Sequence, residues 1–85
     1  MAQAHQVVEN LRTALEAAGA ELADVVRITV YVASAQQADL VAAWEVVRDA
    51  FEPDVPPGTL LGVAALGYDD QLVEVDAIAA VRRQP

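Results

Sequence analysis

Glu74 and Asp76 stand two residues apart in the run 71–81 (Gln-Leu-Val-Glu-Val-Asp-Ala-Ile-Ala-Ala-Val), a spacing that puts two carboxylates on one face of an extended strand. Leu72, Glu74, Asp76, Ile78 and Ala80 point one way, and Val73, Val75, Ala77, Ala79 and Val81 the other. The acids are thus bracketed by aliphatic side chains. A carboxylate held between Leu72 and Ile78 on a packed sheet is expected to lose water, which raises its proton affinity and suits it to proton transfer or to anchoring a polar ligand. The plainer alternative is an exposed acidic strand face.

Other chemistry is scarce. The chain has no cysteine and no lysine, which removes thiolate nucleophiles, thiolate metal sites and Schiff-base catalysis, so no metal and no cofactor is expected. The single histidine, His5, has no clustered partner for a metal or a triad, and the single serine, Ser34, is expected to cap a helix. Arg27 can bind a ligand carboxylate or serve an interface ion pair.

The elements that must position these residues follow from periodicity. Ala4, Val7, Val8, Leu11, Leu15 and Ala18 recur at helical spacing ahead of Gly19, so residues 3–18 read as an amphipathic helix with a left-handed C-terminal cap. The β-branched run 25–32 reads as a strand with Val26, Ile28, Val30 and Val32 on one side and Val25, Arg27, Thr29 and Tyr31 on the other. Ser34 with Gln37 resembles a capping box, and Leu40, Trp44, Val47 and Phe51 form the stripe of a second helix that Pro53 closes. Trp44 is therefore either core or pocket wall. Three prolines make 52–58 a rigid loop in which Gly58 permits special backbone geometry. Residues 59–66, apolar on both faces, read as a central strand joined through 67–70 to the acidic strand in a hairpin. The order is α-β-α-β-β: an α+β fold with a three-stranded mixed sheet, two helices on one face and the other face uncovered.

Composition sets the class. Eighty-five residues are expected to form one domain, 1–85, which buries only roughly 60–65% of its unfolded surface, and 55% of the residues are hydrophobic. Self-association through the uncovered sheet face is the expected way to complete the core. A net charge of −8 argues against nucleic acid and anionic membrane partners. No apolar run reaches the ~20 residues of a membrane span and residues 1–5 lack signal-peptide character, so a cytoplasmic location is expected.

Together, Asn10-Leu11, the run 15–20 (Leu-Glu-Ala-Ala-Gly-Ala), Asp24-Val25-Val26, Thr29-Val30-Tyr31-Val32 and above all 73–79 (Val-Glu-Val-Asp-Ala-Ile-Ala) resemble the RidA/YjgF family of imine deaminases. The resemblance covers nearly the whole chain. It implies a chorismate-mutase-like α+β subunit, a homotrimer, and a small-molecule cleft at each subunit interface. It also implies hydrolysis of reactive enamines and imines, with an arginine gripping the substrate carboxylate and a glutamate positioning water. Glu74 falls at the glutamate's place. The family's Pro-Ala-Arg-Ser/Thr stretch corresponds to Pro56-Pro57-Gly58-Thr59, so its arginine falls on Gly58, or on Thr59 with a shifted gap, and neither replaces a bidentate guanidinium. The family's ligand-facing asparagine aligns with Trp44 and its tyrosine with Val47. The family's N-terminal strands, which bring a tyrosine and a serine to the cleft, have no counterpart before Gln3, so a shortened relative or a missing preceding segment is expected.

The resemblance therefore implies a metabolite-binding protein, and as an enzyme an imine or enamine hydrolase with altered substrate, in which Glu74 is the acid/base. Gly58, Thr59 and Leu60 would then contact the ligand through backbone N–H groups and the Thr59 hydroxyl, with Trp44 and Arg27 beside them. The alternative is a non-catalytic structural or regulatory module that oligomerises through its sheet.

Overall fold

The computed structural model describes residues 2–81. Helix α1 spans Ala2–Ala17, one residue earlier at each end than its periodicity suggests, and buries Ala4, Val8 and Leu15. It ends because Gly19 takes a φ of +77°, which lets the Ala20 N–H donate to the Leu15 carbonyl at 2.8 Å and the Gly19 N–H to the Glu16 carbonyl at 3.0 Å. That paired arrangement satisfies carbonyls the helix would otherwise leave open. A single 3₁₀ turn, Leu22–Asp24, then leads into β1.

Strand β1 spans Val25–Val32 as its β-branched run predicts, and Ile28, Val30 and Val32 are buried as expected. Val26 departs from that pattern: Val25 is buried and Val26 is half exposed, at 50%. The register slips between Val25, which faces Ala79, and Arg27, which faces Ile78. The extra residue of this bulge reverses which of the two valines meets the core.

Helix α2 spans Gln37–Phe51 and buries Ala43, Val47 and Phe51, with Leu40 and Trp44 half-buried against the same cluster. Ser34 does not cap it as expected; the N-cap position is Gln36, whose side chain makes no capping bond. The Ser34 hydroxyl accepts from the Gln36 N–H at 3.0 Å and donates to Asp39 Oδ2 at 2.7 Å. It therefore shapes the approach to the helix through a local turn and an anchor on the first helical turn.

Strand β2 spans Gly58–Gly62 and β3 spans Val73–Ala79, with spatial order β2-β1-β3. The expected hairpin between 59–66 and the acidic strand is absent, and the expected central strand is an edge. β1 occupies the centre, parallel to β2 and antiparallel to β3. A parallel pair needs a crossover, which α2 supplies by returning the chain beside β1; residues 63–72 then carry the chain past the end of β1 to its far side, where β3 pairs with it. β2 stops at Gly62 because its partner stops too: Val32↔Gly62 is the last pair. Residues 63–72 cross the end of the sheet, with Asp70 at φ +62° and Gln71 N–H donating to the Tyr68 carbonyl at 3.1 Å. Gln3 of α1 clamps this crossing, donating from Nε2 to the Asp70 carbonyl at 2.8 Å and accepting the Leu72 N–H on Oε1 at 2.7 Å.

α1 packs on β3, α2 packs on β1 and β2, and the helices touch each other. The core between them gathers Ile28, Val30, Val32 and Val73 from the sheet with the buried residues of both helices. One sheet face is thus covered by helices and the other is open, the α+β arrangement with order α-β-α-β-β.

Candidate functional site

The open face is built by alternation. Because Ile28, Val30, Val32 and Val73 turn toward the helices, their neighbours Arg27, Thr29, Tyr31, Glu74 and Asp76 turn away from them. The register arranges these into cross-strand rows: Thr59, Thr29 and Asp76 in one, Leu61, Tyr31 and Glu74 in the next. Glu74 and Asp76 are both exposed in the chain, as is Arg27, while Thr29, Tyr31 and Thr59 are partly covered.

Two pairs tie this face together. Tyr31 Oη donates to Asp76 Oδ2 at 3.2 Å, reaching the diagonal neighbour of the residue it directly faces. That hydrogen bond to a carboxylate, helped by local desolvation and by the charges of Asp76 and Glu74, raises the Tyr31 phenol above its ordinary value of 10.0. On the other side of β1, Arg27 Nη2 donates to Thr59 Oγ1 at 2.8 Å. Glu74 is held more loosely, by Gln71 Nε2 at 3.5 Å. Among the described residues it has no cationic partner, so its lone pairs remain available to water or to a ligand donor.

The residues singled out from the sequence divide between the two faces. Glu74, Thr59 and Arg27 lie on the open face. Gly58, Leu60 and Trp44 lie on the helix side: a Cβ on Gly58 would sit 2.9 Å from Ile28 Cγ1 and 3.3 Å from the Trp44 ring, and Leu60 and Trp44 pack against the core. Gly58 has no positive φ, so close packing under β1 explains the glycine, and special turn geometry does not. An arginine at 58 would aim its Cβ into that packing, whereas one at 59 would emerge on the open face. Arg27 and Glu74 share a face but stand apart, because Glu74 faces Tyr31, four residues along β1 from Arg27, or about 13 Å at the usual rise per residue.

Gln71 and Tyr31 enter the site through geometry the sequence does not display. Gln71 precedes the strand it serves, and Tyr31 meets Asp76 only once β1 and β3 are in register. Beside Glu74, a groove of about 280 Å³ runs between α1 and β3 and is lined by Val7, Leu11, Ala14, Val73 and Val75 among others. No helix among the described residues is long and apolar enough to cross a membrane.

Comparison with known proteins gives a consistent set of relatives. The model of the endoribonuclease L-PSP family matches residues 1–81. A RutC family protein of Pyrococcus horikoshii is 38% identical over 77 residues, which are 91% of this chain and 59% of that protein. A 2-iminobutanoate/2-iminopropanoate deaminase of Dermatophagoides farinae is 28% identical over 79 residues, 93% of this chain and 59% of its own length. Among solved structures, a member of the YjgF/YER057c/UK114 family from Mycobacterium tuberculosis superposes with a TM-score of 0.82 at 35% identity, covering 92% of this chain and 64% of that one. RidA from an Antarctic Psychrobacter gives 0.80 at 32% identity, covering 92% and 61%. The chain thus spans about three-fifths of the length of the relatives it matches.

Proposed function

The chain belongs to the endoribonuclease L-PSP family, the RidA/YjgF proteins, and from that premise we propose that it binds a small imine or enamine on its open sheet face at a boundary between subunits of a homotrimer, where Glu74 activates water. The carrying observation is the placement of Glu74: on the face opposite the helices, exposed, and free of any cationic partner among the described residues. A carboxylate so placed orients a water for attack on the C=N carbon, accepts its proton and returns it to the nitrogen. Collapse of the resulting carbinolamine to a carbonyl then expels ammonia, or an amine, and the proton balance closes on the carboxylate. The Leu60 backbone N–H, which faces away from β1, and the Thr59 hydroxyl are the proposed polar contacts of the ligand, with Gly58 and Trp44 behind them; the Thr59 N–H faces β1 in the ladder.

Glycine at 58 and threonine at 59, where the family resemblance expects an arginine, support a changed substrate. With a glycine at 58 packed against Ile28, the guanidinium nearest Thr59 is that of Arg27, which enters from two residues beyond the Thr59 row, on the side away from Glu74. A substrate that uses Glu74 alone need not carry a carboxylate. The test is ammonia release from imines generated in place by a pyridoxal-phosphate dehydratase and from carboxylate-free imines, with wild type and Glu74→Gln. Wild-type turnover that falls by about 100-fold or more in Glu74→Gln supports the reading. Turnover that survives the substitution removes Glu74 from the chemistry. A wild type that binds but never turns over leaves a metabolite-binding or oligomerisation module, the second reading, which the lack of an arginine at 58 and 59 favours.

A further inference from the structure

The turn that delivers the chain into β3 ends in a side chain aimed at Glu74. The Gln71 backbone N–H donates to the Tyr68 carbonyl at 3.1 Å and the Tyr68 N–H donates to Gln71 Oε1 at 3.2 Å, so the two residues are joined in both directions. Between them Asp70 holds a φ of +62°, the one left-handed non-glycine among the described residues. Gln3 ties the same segment to α1 through the Asp70 carbonyl and the Leu72 N–H. With Oε1 held by Tyr68, the Gln71 Nε2 faces the start of β3, where it donates to the Val73 carbonyl at 3.4 Å and to Glu74 Oε1 at 3.5 Å. These contacts fit one orientation of the amide, because a peptide N–H needs the oxygen opposite it, and a carbonyl and a carboxylate need the nitrogen.

We propose that Gln71 is the positioning residue of Glu74, a role that rests on the reading of Glu74 as the group that activates water. Among the described residues, the Gln71 amide is the one side-chain donor that reaches the Glu74 carboxylate. It meets Oε1 and leaves Oε2, so the two oxygens take different work: Oε1 is anchored to the turn, and Oε2 orients the water and accepts its proton. An exposed glutamate without such an anchor spreads over several rotamers, few of which aim at one reacting atom. A neutral amide suits the task, since a guanidinium or ammonium in its place would pair with the carboxylate and compete with the water for it. At 3.5 Å the bond is long, and hydrogen bonds at catalytic groups commonly tighten when substrate closes on the site. The turn thus carries the order of its backbone, through one partly buried side chain, to the reacting end of Glu74.

The experiment combines side-chain amide NMR with imine hydrolysis on the full chain, using wild type, Gln71→Leu, Glu74→Gln and the double variant. Leucine approximates the bulk of glutamine and removes the donor. The Gln71 NH₂ resonances, assigned by their loss in Gln71→Leu, should shift in Glu74→Gln and stay in place in Asp76→Asn, which alters an equally exposed carboxylate that Gln71 does not reach. With imines generated in place by a pyridoxal-phosphate dehydratase and with carboxylate-free imines, Gln71→Leu should lower kcat about tenfold and leave KM within about twofold. In the Glu74→Gln background the same change should alter residual turnover by less than about twofold, because no carboxylate is left to position. A part in stability alone would act equally in both backgrounds, and that result overturns the proposal, as do Gln71 resonances indifferent to Glu74→Gln. Turnover that falls in Glu74→Gln and stays at the wild-type level in Gln71→Leu overturns the positioning role and leaves Glu74 in the chemistry. A wild type without turnover, or turnover that survives Glu74→Gln, removes the reading of Glu74 and the positioning role together.

Discussion

Replacing Gly58 by alanine probes the packing that keeps a side chain at this position off the open face. The added Cβ would meet Ile28 Cγ1 at 2.9 Å, closer than real Cβ atoms come, with the Ile28 carbonyl and the Trp44 ring both at 3.3 Å. Ile28 is fully buried, so it cannot swing aside into solvent. Overpacking of this kind costs about 1–3 kcal/mol. Removing a glycine from the unfolded chain offsets about 0.4–1 kcal/mol of that, leaving a net loss near 1 kcal/mol. For a chain this short, such a loss lowers the melting temperature by roughly 4–8 °C. Gly67→Ala is the matched control, since its Cβ would meet nothing within 4 Å and its φ is not positive; it should be neutral or slightly stabilising. Both variants should be melted at the same protomer concentration, because any self-association adds to apparent stability. If Gly58→Ala melts with Gly67→Ala at or above wild type, the packing argument fails. With it fails the conclusion that an arginine at 58 would point into the core while one at 59 would reach the ligand face.

Two further outcomes follow from the side-chain contacts. In a Tyr68→Phe background, which leaves Tyr31 as the one tyrosine, ultraviolet titration should place its ionisation above the ordinary 10.0, and Asp76→Asn should bring it down. Because the folded phenol holds its proton more tightly than the unfolded one, this contribution to stability is complete below pH 10 and disappears as pH rises through the folded value; an unchanged titration in Asp76→Asn would remove the Tyr31–Asp76 bond from the account. Gln3→Ala deletes both bonds that clamp the crossing into β3 and should cost about 1–2 kcal/mol in urea denaturation, with faster exchange of the Leu72 amide; unchanged exchange there would mean that the clamp is not formed in solution.

What the sequence determined by itself is whatever short-range periodicity controls. The stripe of Ala4, Val8 and Leu15 with Gly19 behind it defines α1 and its end, the β-branched run defines β1, and Leu40, Val47 and Phe51 define α2. The two-residue alternation of 73–79 also places Glu74 and Asp76 together on one face, since a strand cannot do otherwise. What only the tertiary structure decided is which strand neighbours which. The apolar run 59–66 reads alike as a central or an edge strand, and the crossing 63–72, which takes the chain past β1 to its far side, made it an edge. The bulge at Val26 arises from the pairing of β1 with β3, so the alternation within β1 could not reveal it. The same pairings bring Tyr31 to Asp76 and Arg27 to Thr59, contacts between residues 45 and 32 positions apart. Local periodicity is a property of the chain, whereas register, edges and the reason for a glycine at 58 are properties of what packs beside it.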